Sequence, residues 1–213
     1  LMLMRLAEDF GFRVHTFTHI LEGYKVAKEM AAHGAGASSF ADWWAYKFEV
    51  YDAIPENPAI LHENKVLVSI NSDDAEMARR LNQEAAKSVK YGGINEEDAL
   101  RFVTINAAKQ MDVDSVTGSL EPGKEADVVV WSGNPLSNMS RVENTFVDGR
   151  MYFARTTDEE LRRRDGELRR FLEQEALKAI AGGAAAASGG RGPRREYHCD
   201  TDDDEMAGAA AGR

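Results

Sequence analysis

Between Phe12 and Met111 the sequence switches repeatedly between two periodicities, and that alternation limits the fold more than any other feature. "FRVHTFTH" alternates apolar and polar residues, with Phe12, Val14, Thr16 and Thr18 on one face, as a strand does. "EGYKVAKEMAAHG" has helical spacing: Tyr24, Val26, Ala27, Met30 and Ala31 line one side, and Gly34 ends it. "AGASSFA" reads as a short strand of small residues. "DWWAYKFEVYDAIPENPAILHENK" is a long aromatic connection with helical portions, broken at Pro55 and Pro58. "VLVSI" is a continuous apolar run of the kind buried on both faces in a parallel sheet. Two helices follow, "DAEMARRLNQEAAKSVKYGG" and "NEEDALRFVTINAAKQM"; Asn95 is a good N-cap for the second, with Asp98 at the capping-box position. Strand–helix alternation predicts a parallel sheet with crossover helices, an α/β fold. About three such units are present, whereas a closed eight-stranded α/β barrel needs eight in roughly 250 residues.

After Met111 the pattern changes. "GSLEPGKEADVVVWSGNPLSN" holds a turn at Pro122-Gly123 and a short apolar strand, Val128 to Trp131. "RVENTFVDGRMYF" predicts a hairpin around Asp148-Gly149, a pair suited to a type I′ turn. From Thr156 to Ala181 a charged helix carries a thin apolar stripe of Leu161, Leu168, Phe171, Leu172, Leu177 and Ile180. The last stretch is Gly, Ala and acid-rich and cannot bury enough surface to offset chain entropy. The expected organisation is thus an α/β segment over 1–115, a small β structure over 116–155, a charged helix over 156–181 and a disordered tail over 182–213.

The chain of 213 residues carries 36 acidic and 26 basic side chains, a formal charge of −10, which disfavours nucleic acid or an anionic membrane surface as main partner. No apolar run approaches the roughly 18 residues of a membrane span. A single cysteine, Cys199, excludes an internal disulfide and a multi-cysteine zinc cluster. "YHCD" beside "DDDE" in the tail is a weak metal-binding pattern, more often without a role. The opening "LMLMRLAEDFGFRVHTF" lacks the features of a signal peptide. It reads as a helix already under way, and the expectation is a segment of a longer protein.

In α/β barrels, reactive groups sit at the C-terminal ends of strands. Two predicted strands end in groups suited to hydrolysis. "TFTHILEGYK" brings His19 to its tip and Glu22 just beyond, and "VLVSINSDDAE" brings Asp73 to its tip. An aspartate there can ligate a metal or move a proton between water and a leaving amine, and a histidine can ligate a metal or polarise a carbonyl. Each residue also fits a plainer role. Asp73 suits a helix N-cap, with Asp74 then in the helix's first turn. His19 suits a structural histidine and Glu22 an ordinary first-turn glutamate. Trp43, with Trp44 and Tyr46, fits either a substrate wall or core. His15 reads as packing, His33 as a helix C-terminal histidine satisfying carbonyls, and His62 as a surface-loop residue.

Taken together, "FTHILEGYK", "HGAGASSFADWWAYK", "SINSDDAEMARRLNQEAAKSVKYGG", "ALRFVTINAAKQM" and "GSLEPGKEADVVVWSGNPLS...VENTFVDGRMYF" resemble the C-terminal part of the amidohydrolase superfamily, in its imidazolonepropionase-like branch. The resemblance covers about residues 1–155. It implies that 1–115 is part of a (β/α)8 barrel, about strands six to eight. His19 then ends strand six, Ser38 to Phe40 lie in strand seven and Asp73 ends strand eight. It implies that 116–155 belongs to a small composite β-sandwich. Family members hydrolyse carbon–nitrogen bonds of amides with one or two divalent metals, usually zinc. The implied roles are Asp73 and His19 as catalytic and metal-binding residues, and Glu22 and Trp43 as substrate contacts. The implied partner is a small amide.

The family's His-x-His pair, its lysine on strand four and its histidine on strand five have no counterpart in these residues. Hence the chain alone is expected to be inactive, to leave open sheet edges on both sides, and to be poorly soluble. Two other readings stand beside a hydrolase segment. One is a non-catalytic binding or assembly remnant of the fold. The other is one half of a split enzyme, completed by an N-terminal half or by oligomerisation.

Overall fold

Three parallel strands form the first sheet, and each is shorter than the stretch that predicts it. The computed structural model describes residues 1–45 and 47–183. The described residues fall into two compact units, Leu1–Tyr152 and one that begins at Phe153. Strands β1 (Thr16–Phe17), β2 (Gly36–Ser39) and β3 (Val68–Ile70) lie in the order β1-β2-β3. The register pairs Thr16 with Gly36, Ala37 with Val68 and Ser39 with Ile70. All residues of β2 and β3 are buried, as a parallel sheet covered on both faces requires. The predicted first strand shrinks to two residues, because Val14 gives its N–H to a histidine ring and not to a neighbouring strand.

Helix α1 (Met2–Asp9) buries Met4 and Ala7, and α2 (Ala27–His33) buries Met30 and His33. Gly34 ends α2 at φ 85°, a left-handed cap that suits glycine. Helix α3 (Asn57–Glu63) seats Leu61 among Met30, Val66, Val68, Ile70 and Phe102, the centre of the core.

Two predicted helices are each broken in two. The first becomes α4 (Ala75–Ala78) and α5 (Leu81–Gly92): the Arg80 N–H bonds back to Met77 O, closing α4 before α5 begins. The second becomes α6 (Glu96–Arg101) and α7 (Ile105–Gln110). Here the cause is tertiary. Phe102, fully buried, gives its carbonyl to the Ile70 N–H of β3 at 3.0 Å. Asn106 Nδ2 reaches Val68 O at 2.8 Å. These bonds meet β3 on the side away from β2, so that edge is partly closed from within, contrary to the expectation of two open edges. No strand pairs with β1 on its other side among the described residues.

A second sheet, order β4-β5-β6, contains β4 (Val128–Trp131), β5 (Val142–Val147) and β6 (Arg150–Ala154), with β4 and β5 antiparallel. Asp148 and Gly149 join β5 to β6 at φ 51° and 74°, as the type I′ pattern predicts. The second unit holds α8 (Arg155–Ala181), none of whose residues is buried. Among the described residues no helix is long and apolar enough to cross a membrane. Tyr46, most of the predicted disordered tail (184–213) and the "YHCD" pattern lie outside the described residues.

Candidate active site

The chain leaves β1 and turns sharply at His19, whose φ is 55°. A left-handed histidine is uncommon and costs energy that surrounding bonds must offset. Those bonds fall on the next residue. The Ile20 N–H donates to Ser38 O at 3.2 Å. The Ile20 carbonyl accepts from Asn57 Nδ2 at 2.9 Å and from the Ser39 hydroxyl at 3.3 Å. Asn57 is buried; its Nδ2 also donates to Ser39 Oγ at 2.9 Å, and its Oδ1 accepts the Tyr24 N–H at 2.8 Å. One asparagine thus joins the end of β1, the end of β2 and the start of α3.

At the end of β3, the Asn71 N–H makes a last ladder bond to Ser39 O at 2.9 Å. Asn71 Nδ2 donates to Ser38 Oγ at 2.8 Å, while its buried Oδ1 has no partner. The two aspartates that follow divide their work. Asp74 caps α4, its Oδ1 accepting the N–H groups of Glu76 and Met77, both at 2.9 Å. The Ser72 hydroxyl donates to Asp74 O and braces the turn. Asp73 is not the cap. Its Oδ1 lies 3.2 Å from His19 Nε2, with the aspartate side chain 21% and the histidine 50% exposed. The fold therefore brings together the tips of the first and third parallel strands, with Asp73 sheltered and His19 half open to solvent.

An aromatic pair backs the histidine. Phe40, buried just past β2, has its ring 5.2 Å from that of His19 at 48°. Trp43 stacks on Phe40 at 4.4 Å and 8°, so it meets the site through Phe40. Glu22 is occupied elsewhere: its Oε2 accepts from Lys25 Nζ at 2.6 Å, and the same ammonium reaches Asp52 Oδ2 at 2.6 Å. The bonds to Asp52 and then Glu22 hold Lys25 above the ordinary lysine value.

The other described histidines serve the scaffold. His33 does not satisfy helix carbonyls with its ring. Its Nε2 accepts the Val14 N–H at 3.0 Å, so Nδ1 carries the hydrogen facing Glu8 Oε1 at 2.7 Å. His62 lies in the last turn of α3, not in a loop, edge-on to Phe102 and 3.4 Å from Asp98. His15 Nε2 lies 3.4 Å from Lys109 O. Sequence reasoning missed Asn57, Ser38, Asn71 and Phe40. For the three polar ones the visible sign was their place beside or within predicted strands and helices; Phe40 carried none.

A catalytic zinc takes three protein ligands, and His19 with Asp73 supplies two. Among the described residues no three His, Cys, Asp or Glu side chains converge to hold a metal ion. These residues by themselves do not fit a complete metal site.

Residues 55–152 match the sequence model of the amidohydrolase family. An amidohydrolase, tasK, of Hapsidospora irregularis is 27% identical over 152 residues, covering 69% of this chain and 15% of its own length. The imidazolonepropionase of Picrophilus torridus is 36% identical over 93 residues, covering 40% of this chain and 24% of its own. Among solved structures, an amidohydrolase from Thermotoga maritima MSB8 superimposes with a TM-score of 0.66 at 35% identity, over 72% of this chain and 40% of its own. The chain thus spans less than half the length of each of these relatives.

Proposed function

The chain belongs to the amidohydrolase superfamily, on its imidazolonepropionase-like side, and from that membership we propose that it forms part of a hydrolase of non-peptide carbon–nitrogen bonds. The observation that carries the proposal is the contact of 3.2 Å between His19 and Asp73 at the ends of two parallel strands. In this reading β1, β2 and β3 are barrel strands six, seven and eight, and the second sheet is part of a composite β-sandwich. The substrate is a small cyclic or linear amide.

Asp73 is the general base. It takes a proton from the water that attacks the amide carbonyl, then passes that proton to the leaving nitrogen as the C–N bond breaks. His19 lies beside Asp73 and donates a hydrogen bond to the carbonyl oxygen as negative charge grows there. The left-handed turn and the Asn57 bonds hold it for that work. The Phe40–Trp43 stack walls the His19 side of the site. The family's divalent metal, usually zinc, fits this reading only with ligands from outside the described residues, supplied by a longer chain, a second copy or a separate half. The two-donor set also favours a second reading, a binding or assembly remnant without catalysis.

Fusing residues 1–152 to the part of the Thermotoga amidohydrolase that they do not cover separates the two. A folded fusion that hydrolyses imidazolonepropionate or another member of a cyclic-amide panel, while the 213-residue chain alone does not, supports the hydrolase. A folded fusion inert across the panel refutes it in favour of the remnant.

A further inference from the structure

We propose that Lys87 is a positioning residue for the His19–Asp73 pair: by holding Asp42 it seats the Phe40–Trp43 stack against the His19 ring. Lys87 lies on α5 and donates to Glu84 on the same helix, 2.9 Å to each carboxylate oxygen. An (i, i+3) pair of that kind is ordinary helix chemistry. The third bond is different. Lys87 Nζ also reaches Asp42 Oδ1 at 2.8 Å, 45 residues back in sequence, in the segment that leaves β2.

That segment carries the wall of the site. Phe40 and Ala41 are buried, Asp42 follows, and Trp43 folds back to stack on Phe40. Asp42 is the polar anchor between the two rings. Helix α5, for its part, follows the Asp73–Asp74 turn through α4. One ammonium therefore couples the segments after β2 and β3, and Phe40 passes the constraint to His19, 5.2 Å away.

The environment explains why the bond holds. Glu84 is buried, with a side chain 8% exposed, and Lys87 is 28% exposed. A carboxylate so covered needs a cation beside it. Glu84 thus fixes the place of Lys87, and Lys87 fixes that of Asp42. Burial pushes the Lys87 ammonium down, but the hydrogen bonds and charges of Asp42 and Glu84 outweigh it and leave it above the ordinary lysine value.

The proposal rests on His19 and Asp73 being the reactive pair, yet it is read without activity, so the two can fail separately. The readout is the ring-proton resonances of the histidines in the 213-residue chain, with the His19 signal assigned by its loss in H19Q. The Phe40 ring displaces that signal through its ring current. K87M leaves Glu84 and Asp42 without their cation and endangers the fold, so D42N is measured beside it; there the Lys87–Glu84 pair stays intact. The expected result is that D42N, and K87M where it folds, moves the His19 signal toward the position of an exposed histidine while that of buried His33 stays put. K87R is expected to keep most of the native displacement. A His19 signal unmoved in D42N overturns the proposal. So does a common movement of His19 and His33, which would make the cluster a fold-wide brace.

Discussion

Replacing Asn57 by alanine should unfasten the turn that holds His19, and the cost can be worked from its bonds. The side chain makes three: to Ile20 O at 2.9 Å, to Ser39 Oγ at 2.9 Å and from the Tyr24 N–H at 2.8 Å. At about 1 kcal/mol net for each buried hydrogen bond, the loss is about 3 kcal/mol. The Ile20 carbonyl keeps the Ser39 hydroxyl, whereas the Tyr24 N–H loses its partner, which places the figure above a simple methyl-deletion cost. For a domain of this size, about 3 kcal/mol corresponds to a fall of roughly 6–12 °C in Tm. Asn57→Asp is the informative companion. It keeps the acceptor for Tyr24 but turns the donor that faces Ile20 O and Ser39 Oγ into an acceptor, so it should cost no less. Urea unfolding of wild type, N57A and N57D, followed by circular dichroism, gives both numbers. A loss below about 1 kcal/mol in N57A, or an N57D as stable as wild type, would refute the claim that this asparagine fastens the strand ends.

The remaining expectations concern neighbouring parts. Asp74→Ala should cost about 1 kcal/mol by uncapping α4, while Asp73→Asn should leave unfolding stability nearly unchanged; equal losses in urea would contradict the division of labour between the two aspartates. Gly92→Ala should cost about 1–3 kcal/mol by overpacking, because a Cβ there would lie 2.2 Å from Ala59 Cβ; a neutral variant in thermal unfolding would show that α5 can retreat from α3. The Asp98 carboxyl is held below its ordinary value by the Asn95 amide first and, against burial, by His62 and Arg101. Its contribution is therefore fully present above the ordinary aspartate pKa of about 3.9 and lost as pH falls through the lower folded value. Wild type should accordingly exceed D98N in urea midpoint at pH 6, with the gap closing near pH 2; a constant gap would contradict the assignment.

What the sequence revealed follows from the range of the interactions involved. β2, β3 and the Asp148-Gly149 turn were legible because burial on both faces and paired positive φ values each leave a local mark. The breaks at Arg79–Arg80 and Phe102–Thr104 carry no glycine or proline. The second exists because Phe102 gives its carbonyl to Ile70, a bond between residues far apart in the chain. Which of two adjacent aspartates caps α4 was equally hidden: residue type suits either, and the Ser72 hydroxyl and the turn geometry select Asp74. His33 reads as a helix-end residue until the chain's reversal brings the Val14 N–H to its ring. His19 and Asp73 were visible as strand-end groups, but their separation of 3.2 Å is a product of the parallel order β1-β2-β3 and of Asn57.

The central claim is that Asp73 moves the proton in an amide-cleaving reaction. Its most direct test is the steady-state kinetics of Asp73→Asn in the active fusion with the Thermotoga remainder. The account predicts a fall in kcat of about 100-fold to 10,000-fold with KM little changed, as loss of a general base requires. A D73N fusion that keeps kcat within about tenfold of the parent fusion would contradict it.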